Sequence, residues 1–163
     1  MYFKYCQILS KCGIIKHMAL KEFFDYINAG ENFLTILQSK SHNVLTFAYV
    51  GDAVFTLFVR THLAEKSTAK SGILHTQTTK FVKASYQAKL IEMLMQNMSQ
   101  EEMQIVLTAR NAKTNNIAKH SNIEEYKKST SFEALVGFLY MTNQTQRLTE
   151  ILEICKKEME KDL

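Results

Sequence analysis

The chain has 163 residues, five glycines and no proline, which fits a single domain and favours helices over turn-rich β-structure. Its formal net charge of +4 is compatible with a phosphate-rich partner without requiring one. Three cysteines without a Cys-x-x-Cys pair argue against a zinc-finger type of site, and no stretch approaches the roughly 20 consecutive apolar residues of a transmembrane helix.

Residues 1–17 are aromatic and basic, and their lysines interrupt any apolar core of a signal peptide. We interpret this segment as an N-terminal extension and expect one domain over residues 18–163, in the cytoplasm and without a membrane partner. Within the domain, an apolar face over residues 19–29 predicts a helix that stops at Gly30. Residues 33–38 predict a further turn or two of helix.

Residues 44–60 are apolar on nearly every face, with one carboxylate, Asp52, near the middle. The length of the segment predicts a helix, ending near Lys66, and a helix that is apolar all round is normally buried. Asp52 has no basic neighbour one turn away, so it either pairs with a basic side chain from elsewhere or serves as a metal or catalytic ligand. Gly51 indicates that another backbone packs very close, since glycine inside a helix costs about 1 kcal/mol relative to alanine.

Two further helices are predicted in the middle of the chain. Residues 73–95 have an apolar face and an opposite polar face, which we interpret as solvated and which includes Gln87. Ser99 and Glu102 have the spacing of a capping box and predict a helix over residues 100–109.

Residues 110–129 show no helical period and predict a long loop, rich in Arg, Lys and Asn, that suits phosphate contacts. Residues 130–140 then repeat the character of the Asp52 helix, with one carboxylate, Glu133, and a glycine four residues later. Glu133 also has a structural interpretation, because Thr130 and Glu133 fit the spacing of a capping box. The last helix, over residues 145–161, carries an apolar face that we interpret as core or dimer packing.

The two carboxylate helices together resemble the ribonuclease III domain. Four pieces in this order carry the resemblance: residues 49–54 (Tyr-Val-Gly-Asp-Ala-Val), 74–75 (Leu-His), 110–113 (Arg-Asn-Ala-Lys) with the downstream Tyr126 and Ser129-Thr130, and 132–137 (Phe-Glu-Ala-Leu-Val-Gly). The pattern covers roughly residues 43–154. It is most similar to Mini-ribonuclease III, the bacterial form without an appended double-stranded RNA-binding domain.

The resemblance implies an all-α domain that forms a two-fold homodimer and cleaves double-stranded RNA with Mg²⁺. By position, it implies that Asp52 is the catalytic carboxylate and Glu133 its metal-binding partner. Tyr49 stands at the family's interface position. Phe47 and Phe55 are further candidates for that contact, with ordinary core packing as the alternative.

Two positions depart from the pattern of the larger ribonuclease III enzymes. Ala48 stands where that pattern has a glutamate, and Thr130 stands where it has an aspartate. With two carboxylates in each site, we expect one firmly held metal ion.

The implied substrate is a duplex in the A form, which proteins recognise mostly through shape, phosphates and 2′-hydroxyls. We predict contacts to it from five side chains: Lys80, Lys83, Arg110, Asn111 and Lys113. The family's role in trimming precursor large-subunit (23S) ribosomal RNA makes that RNA the expected substrate, and a ribosomal protein is a candidate helper.

Two alternatives remain open at this point. The first is a catalytically inactive RNA-binding or ribosome-associated module on the same fold, against which the retention of Asp52 and Glu133 in apolar helices argues. The second is a helical interaction protein without an RNA role, in which Asp52 pairs with a basic side chain. The second leaves the four-piece match unexplained.

Overall fold

The computed structural model describes Leu34 and residues 41–113 and 122–163. Over these residues it contains α-helices, one short 3₁₀ turn and no strand, which confirms the all-α prediction. The helices are α1 (Val44–Lys66), α2 (Ser71–Val82), α3 (Ala84–Leu94), α4 (Gln100–Asn111), α5 (Ile123–Met141) and α6 (Thr145–Lys161), with the 3₁₀ turn at Met95–Asn97. The extension over residues 1–17, the helix predicted over residues 19–29 and, apart from Leu34, the helix predicted over residues 33–38 lie outside the described residues.

The centre of the fold is the pair formed by α1 and α5. These two helices pack against each other, α2 packs on α1, and α3, α4 and α6 pack on α5. Phe55 of α1 meets Phe132 of α5 edge to face, with 4.7 Å between ring centroids, and both side chains are fully buried. Five apolar residues of α6 are also buried, which makes its apolar face part of the core: Leu148, Ile151, Leu152, Cys155 and Met159.

Two glycines allow the backbones of α1 and α5 to touch. A Cβ atom at Gly51 would lie 1.8 Å from the carbonyl oxygen of Glu133, and a Cβ atom at Gly137 would lie 1.9 Å from the carbonyl oxygen of Phe47. Any side chain at either position would therefore push the helices apart. This confirms the prediction that Gly51 marks a close backbone approach, and it places the turn that carries Asp52 beside the turn that carries Glu133.

By length and composition α1 could also cross a membrane, contrary to our expectation that the chain contains no stretch of that kind. In the fold, however, α1 buries Phe55, Phe58 and Val59 within the helical domain. A helix that is apolar on most faces is found in protein cores as well as in membranes, and here it is a core helix.

Three helix boundaries agree with the sequence. The predicted end of α1 near Lys66 and the predicted span of α6 are both confirmed. The capping box before α4 is also present, because the Ser99 hydroxyl accepts a hydrogen bond from the backbone of Glu102 and the Glu102 carboxylate accepts one from the backbone of Ser99.

Two predictions about the middle of the chain are wrong. Residues 73–95 form two helices rather than one, because Lys83 adopts an extended conformation (φ −68°, ψ 150°) that ends α2 and begins α3. The loop predicted over residues 110–129 is shorter at both ends. In particular, α5 begins at Ile123, where the Asn122 side chain accepts a hydrogen bond from the backbone of Glu124 at 3.1 Å.

Candidate active site

Asp52 and Glu133, the two carboxylates that the sequence points to, lie in the wall of one groove. Its volume is about 590 Å³, and it is lined by residues of α1 (Leu45, Ala48, Tyr49, Val50, Asp52 and Ala53) and of α5 (Tyr126, Thr130 and Glu133). Asp52 is exposed, whereas Glu133 is half-buried. The glycine contact between α1 and α5 brings the two acids to the same groove. Asp52 is the residue after Gly51, and Gly51 touches the backbone carbonyl of Glu133.

Among the described residues, the groove contains two acids and no neutralising base. Burial, and then the negative charge of Asp52, raise the pKa of the Glu133 carboxyl to about 7. Hydrogen bonding from Ser129 and Gln87 opposes this rise in the pKa. Over residues 41–113 and 122–163, no basic side chain forms an ion pair with Asp52. The structural interpretation, in which Asp52 pairs with a lysine or arginine, therefore finds no support in this part of the chain.

The structural interpretation of Glu133 is wrong. Thr130 does not begin a helix but lies inside α5, which starts at Ile123. Its hydroxyl donates a hydrogen bond to the carbonyl oxygen of Tyr126 at 3.0 Å, so it caps nothing. Glu133 is free of a capping role and presents its carboxylate to the groove.

The donor set fits a hard divalent cation. Ala48 and Thr130, at the positions where the larger enzymes carry acids, both line the groove but supply no carboxylate. No cluster of three or more His, Cys, Asp or Glu side chains occurs among the described residues, and of these residues Asp52 and Glu133 are the acidic ones that line the groove. Mg²⁺ usually keeps several waters and binds through one or two carboxylates plus substrate phosphates. A cation would also remove the repulsion between the two carboxylates.

The aromatic residues proposed for a dimer contact fall into two groups. Tyr49 lines the groove and is 82% exposed. A residue that contacts a second subunit is expected to be exposed in the isolated chain. Phe47 and Phe55 are fully buried, and Phe47 packs edge to face on Phe138 at 5.8 Å between ring centroids. Of the two interpretations given for these phenylalanines, core packing is correct.

The residues predicted to contact RNA are only partly brought together. Arg110 and Asn111 line a second groove, of about 870 Å³, with Lys127 and other residues of α4 and α5. Lys113 is exposed two residues beyond the end of α4.

Lys80 and Lys83 are exposed but belong to neither of these two grooves. Lys80 donates a hydrogen bond to the carbonyl oxygen of Asp162 and lies over the ring of Phe81. The lysine side chain is therefore already engaged at the C-terminal end of α6.

Two polar residues beside Glu133 were assigned no role in the site from the sequence. Gln87, which we placed on a solvated face, is fully buried, and Ser129 is buried one turn before Glu133. The signal for Gln87 lies in the register of α3, where it falls within the buried stripe that includes Tyr86, Leu90 and Ile91. Because the chain breaks at Lys83, the apolar positions before and after it do not share one helical period. A single helix assumed over residues 73–95 therefore places Gln87 on the wrong face.

Comparisons with known proteins show which family the chain belongs to. Residues 45–144 match the family model described as Ribonuclease III domain. The chain is 37% identical over 126 residues to Mini-ribonuclease 3 of Clostridium tetani, covering 77% of this chain and 83% of that protein. It is 39% identical over 127 residues to Mini-ribonuclease 3 of Staphylococcus aureus, covering 77% and 91%.

The fold is likewise similar to a crystal structure of a protein from Fusobacterium nucleatum. The TM-score is 0.66 at 24% sequence identity, over 72% of this chain and 94% of that one. Enzymes of the ribonuclease III family act on double-stranded RNA and generally depend on a divalent metal. Because the family match spans more than half of the chain, and both relatives exceed 30% identity over most of their length, the chain belongs to the ribonuclease III domain family, in its Mini-ribonuclease 3 group, and is an endoribonuclease.

Proposed function

We propose that the protein is a Mg²⁺-dependent endoribonuclease that cleaves double-stranded regions of structured RNA, with Asp52 and Glu133 as the catalytic and metal-holding carboxylates. The observation that carries the proposal is the convergence of these two acids, without a basic partner among the described residues, in one groove between the central helices. Burial and the charge of Asp52 raise the pKa of Glu133, and perturbed pKa values of this kind concentrate at functional sites.

Asp52 and Glu133 differ in solvent exposure, and we assign them different roles on that basis. Asp52 is exposed and can hold a cation where a bound strand would present its phosphate, whereas Glu133 supplies a second carboxylate from a half-buried position. Together they would hold a divalent ion, which would supply charge neutralisation at the phosphate and activate water for hydrolysis. The backbone contact at Gly51 fixes the separation of the two acids, so their geometry is set before substrate binds.

The first test is the dependence of cleavage on metal. We expect the purified protein to cut a structured double-stranded RNA in Mg²⁺, to stop in a chelator, and to resume when Mg²⁺ is restored in excess. Cleavage that persists in the chelator would contradict the proposal. Tight, salt-sensitive binding without any cutting would favour the catalytically inactive RNA-binding module instead.

We propose that RNA is held by Arg110, Asn111 and Lys113, with Lys80 and Lys83 as outer contacts. The groove at Arg110 and the groove at Glu133 share helix α5, so a duplex lying along α5 could contact both. Lys80 would first have to leave the carbonyl oxygen of Asp162, which makes it the weaker candidate.

The double variant Arg110→Ala/Lys113→Ala should bind duplex RNA more weakly and with a shallower salt dependence. Two lost phosphate contacts lower the slope of log K against log salt by roughly 2, since each contact contributes about 0.9 for a B-form duplex. Fluorescence anisotropy at several salt concentrations measures the slope, with Lys161→Ala, exposed at the end of α6, as the control. An unchanged slope would remove these two residues from the RNA interface.

We propose that the active form is a two-fold dimer in which Tyr49 contacts the partner. One chain carries one groove with two carboxylates, and two such grooves related by a dyad match the two strands of a duplex. The exposure of Tyr49 beside the groove supports this placement.

Tyr49→Arg should therefore shift the protein from dimer to monomer at micromolar concentration, because an aromatic contact with the partner is replaced by a charge that must lose its hydration in the interface. Analytical ultracentrifugation measures the change. Ile154→Arg replaces a partly exposed apolar residue on α6 and should leave the dimer intact. A wild-type protein that is already a monomer at this concentration would contradict the dimer itself.

We extend the proposal to a substrate and a compartment: precursor large-subunit (23S) ribosomal RNA in the cytoplasm, with a ribosomal protein as a candidate helper. Membership of the Mini-ribonuclease 3 group supports this extension, and no described side chain specifies the RNA. Cleavage of precursor 23S helices with and without ribosomal proteins, beside an unrelated duplex of equal length, tests it. Equal cutting of both RNAs under all conditions would argue against it.

A further inference from the structure

Two neutral polar side chains reach Glu133 from the protein interior. Ser129, one turn earlier on α5, is 6% exposed, and its hydroxyl oxygen lies 3.4 Å from Oε1 of Glu133. The same hydroxyl donates a hydrogen bond to Oε1 of Gln87 on α3. Gln87 is completely buried, so the three side chains form a chain that begins in the core and ends at the groove.

The amide nitrogen of Gln87 is the incomplete part of this chain. It is buried and has no hydrogen-bond partner of ordinary geometry among the described residues. It nevertheless lies close enough to Glu133 to favour the ionised carboxylate. A buried donor without a partner is costly to keep, and the neighbours of Gln87 along α3 are apolar, so packing alone would favour an apolar residue at this position.

We propose that Gln87 and Ser129 are positioning residues, which hold the carboxylate of Glu133 in the orientation that binds the divalent cation; this rests on the proposed function. Both side chains approach from the interior, which leaves the groove side of the carboxylate for the cation. Both are also neutral. They can therefore support the ionised carboxylate without adding a positive charge that would compete with the metal. Groups that hydrogen-bond to a metal ligand in this way typically contribute a factor of about 10–100 to metal affinity.

The test compares two variants of this chain of residues with a matched control. Gln87→Met removes the amide at similar volume, and Ser129→Ala removes the hydroxyl. Ser131→Ala is the control, because Ser131 lies on the same helix, is 1% exposed, and donates to the carbonyl oxygen of Lys127 instead. The first readout is the affinity of the RNA-free, full-length protein for Mn²⁺ at pH 8, measured by titration calorimetry.

We expect the dissociation constant for Mn²⁺ to rise about 10–100-fold in Gln87→Met and in Ser129→Ala and to stay at the wild-type value in Ser131→Ala. The second readout is thermal unfolding in chelator, in the wild-type and in the Glu133→Gln background. If the side chains act on Glu133, the change in melting temperature caused by Gln87→Met should differ between the two backgrounds.

The outcomes separate this proposal from the proposed function. Wild-type binding of Mn²⁺ with unchanged affinity in both variants would show that Gln87 and Ser129 are structural only, and would leave the nuclease assignment standing. The same conclusion follows if the effects of Gln87→Met and Glu133→Gln on the melting temperature are additive. Failure of the wild-type protein to bind Mn²⁺ would overturn the metal site of the proposed function, and the positioning role with it.

Discussion

Glu133→Gln should slow RNA cleavage by about three orders of magnitude and, at the same time, stabilise the metal-free protein above pH 7. The first effect follows from the loss of a proposed cation ligand. Charge stabilisation by a metal is worth several kcal/mol in the transition state, and about 4 kcal/mol corresponds to a factor of about 1,000 in rate. Asp52→Asn should show a comparable loss of cleavage, because it removes the other acidic donor of the groove.

The second effect comes from the pKa of Glu133, which burial and the Asp52 charge raise from an ordinary value of 4.5 to about 7. A group with a raised pKa binds more protons in the folded than in the unfolded protein. Its favourable contribution is complete below pH 4.5 and is lost as the pH rises through about 7. At pH 8 the folded protein therefore holds an unfavourable buried charge, which glutamine does not carry.

The expected gain for Glu133→Gln is about 1–2 kcal/mol in the free energy of unfolding at pH 8. The full shift in the pKa would correspond to about 3 kcal/mol, and partial solvent exposure of the carboxyl reduces that figure. At pH 4.5 the gain should disappear. Urea unfolding in chelator at both values of pH measures the difference, and Glu65→Gln, on the exposed side of α1, should change little at either.

Adding Mg²⁺ should reverse the order of the two proteins. The ion stabilises the wild type by mass action, whereas the variant lacks one of the two acids and gains little. A stability gain of the same size at pH 4.5 and at pH 8 would contradict the electrostatic explanation. Cleavage by Glu133→Gln or by Asp52→Asn at a rate close to wild type would remove that residue from the catalytic centre.

The central carboxylates could be found from the sequence because they break a local rule. Asp52 interrupts a segment that is otherwise apolar on every face, and Gly51 is unfavourable inside a helix unless another backbone comes close. Both anomalies are local, so they are visible without knowledge of the fold. The helix of Glu133 has the same apolar character as that of Asp52, which makes Glu133 the candidate second acid. The family pattern adds support for the pairing, since no local signal tells which two helices meet.

The start of α5 was missed for the opposite reason. Its first two turns contain few apolar residues. Ion pairs stabilise this part of the helix, since Lys128 lies 2.6 Å from Glu92 and 2.7 Å from Glu124. A search for apolar periods therefore interprets these turns as loop. The signal that was present is the cap, since Asn122 is followed by the acidic residues Glu124 and Glu125 in the first turn.

The prediction that Gln87 faces solvent is wrong because contacts with another helix, and not its own helix, determine its burial. On an isolated helix a glutamine among lysines is predicted to face solvent, and only the packing of α3 on α5 makes its position internal. The extended conformation of Lys83 adds to the error by shifting the register between α2 and α3. Buried polar residues of this kind break the match between pattern and burial, and such mismatches concentrate at functional sites.

Gly51→Ala should destabilise the protein by about 3 kcal/mol or more and abolish cleavage. In an open helix the same change would add up to about 1 kcal/mol of stability, since alanine is the better helix former. Here the new Cβ atom would lie 1.8 Å from the carbonyl oxygen of Glu133 and 2.8 Å from its carbonyl carbon. Both atoms belong to the backbone, so no side-chain rotation relieves the overlap and the helices must separate. Overpacking of a core typically costs about 1–3 kcal/mol, and occasionally more.

The matched control for Gly51→Ala is Gly72→Ala, because a Cβ atom at Gly72 meets nothing within 4 Å. That change should be neutral or stabilising, and cleavage should persist. Gly137→Ala should behave like Gly51→Ala, since its Cβ atom would lie 1.9 Å from the carbonyl oxygen of Phe47 in the same helix contact. The double variant should lose less stability than the sum of the single changes, because helices separated by the first Cβ atom leave room for the second. Wild-type stability in Gly51→Ala, measured by urea unfolding, would mean that α1 and α5 do not touch at this point, and the geometry that brings Asp52 to Glu133 would be wrong as well.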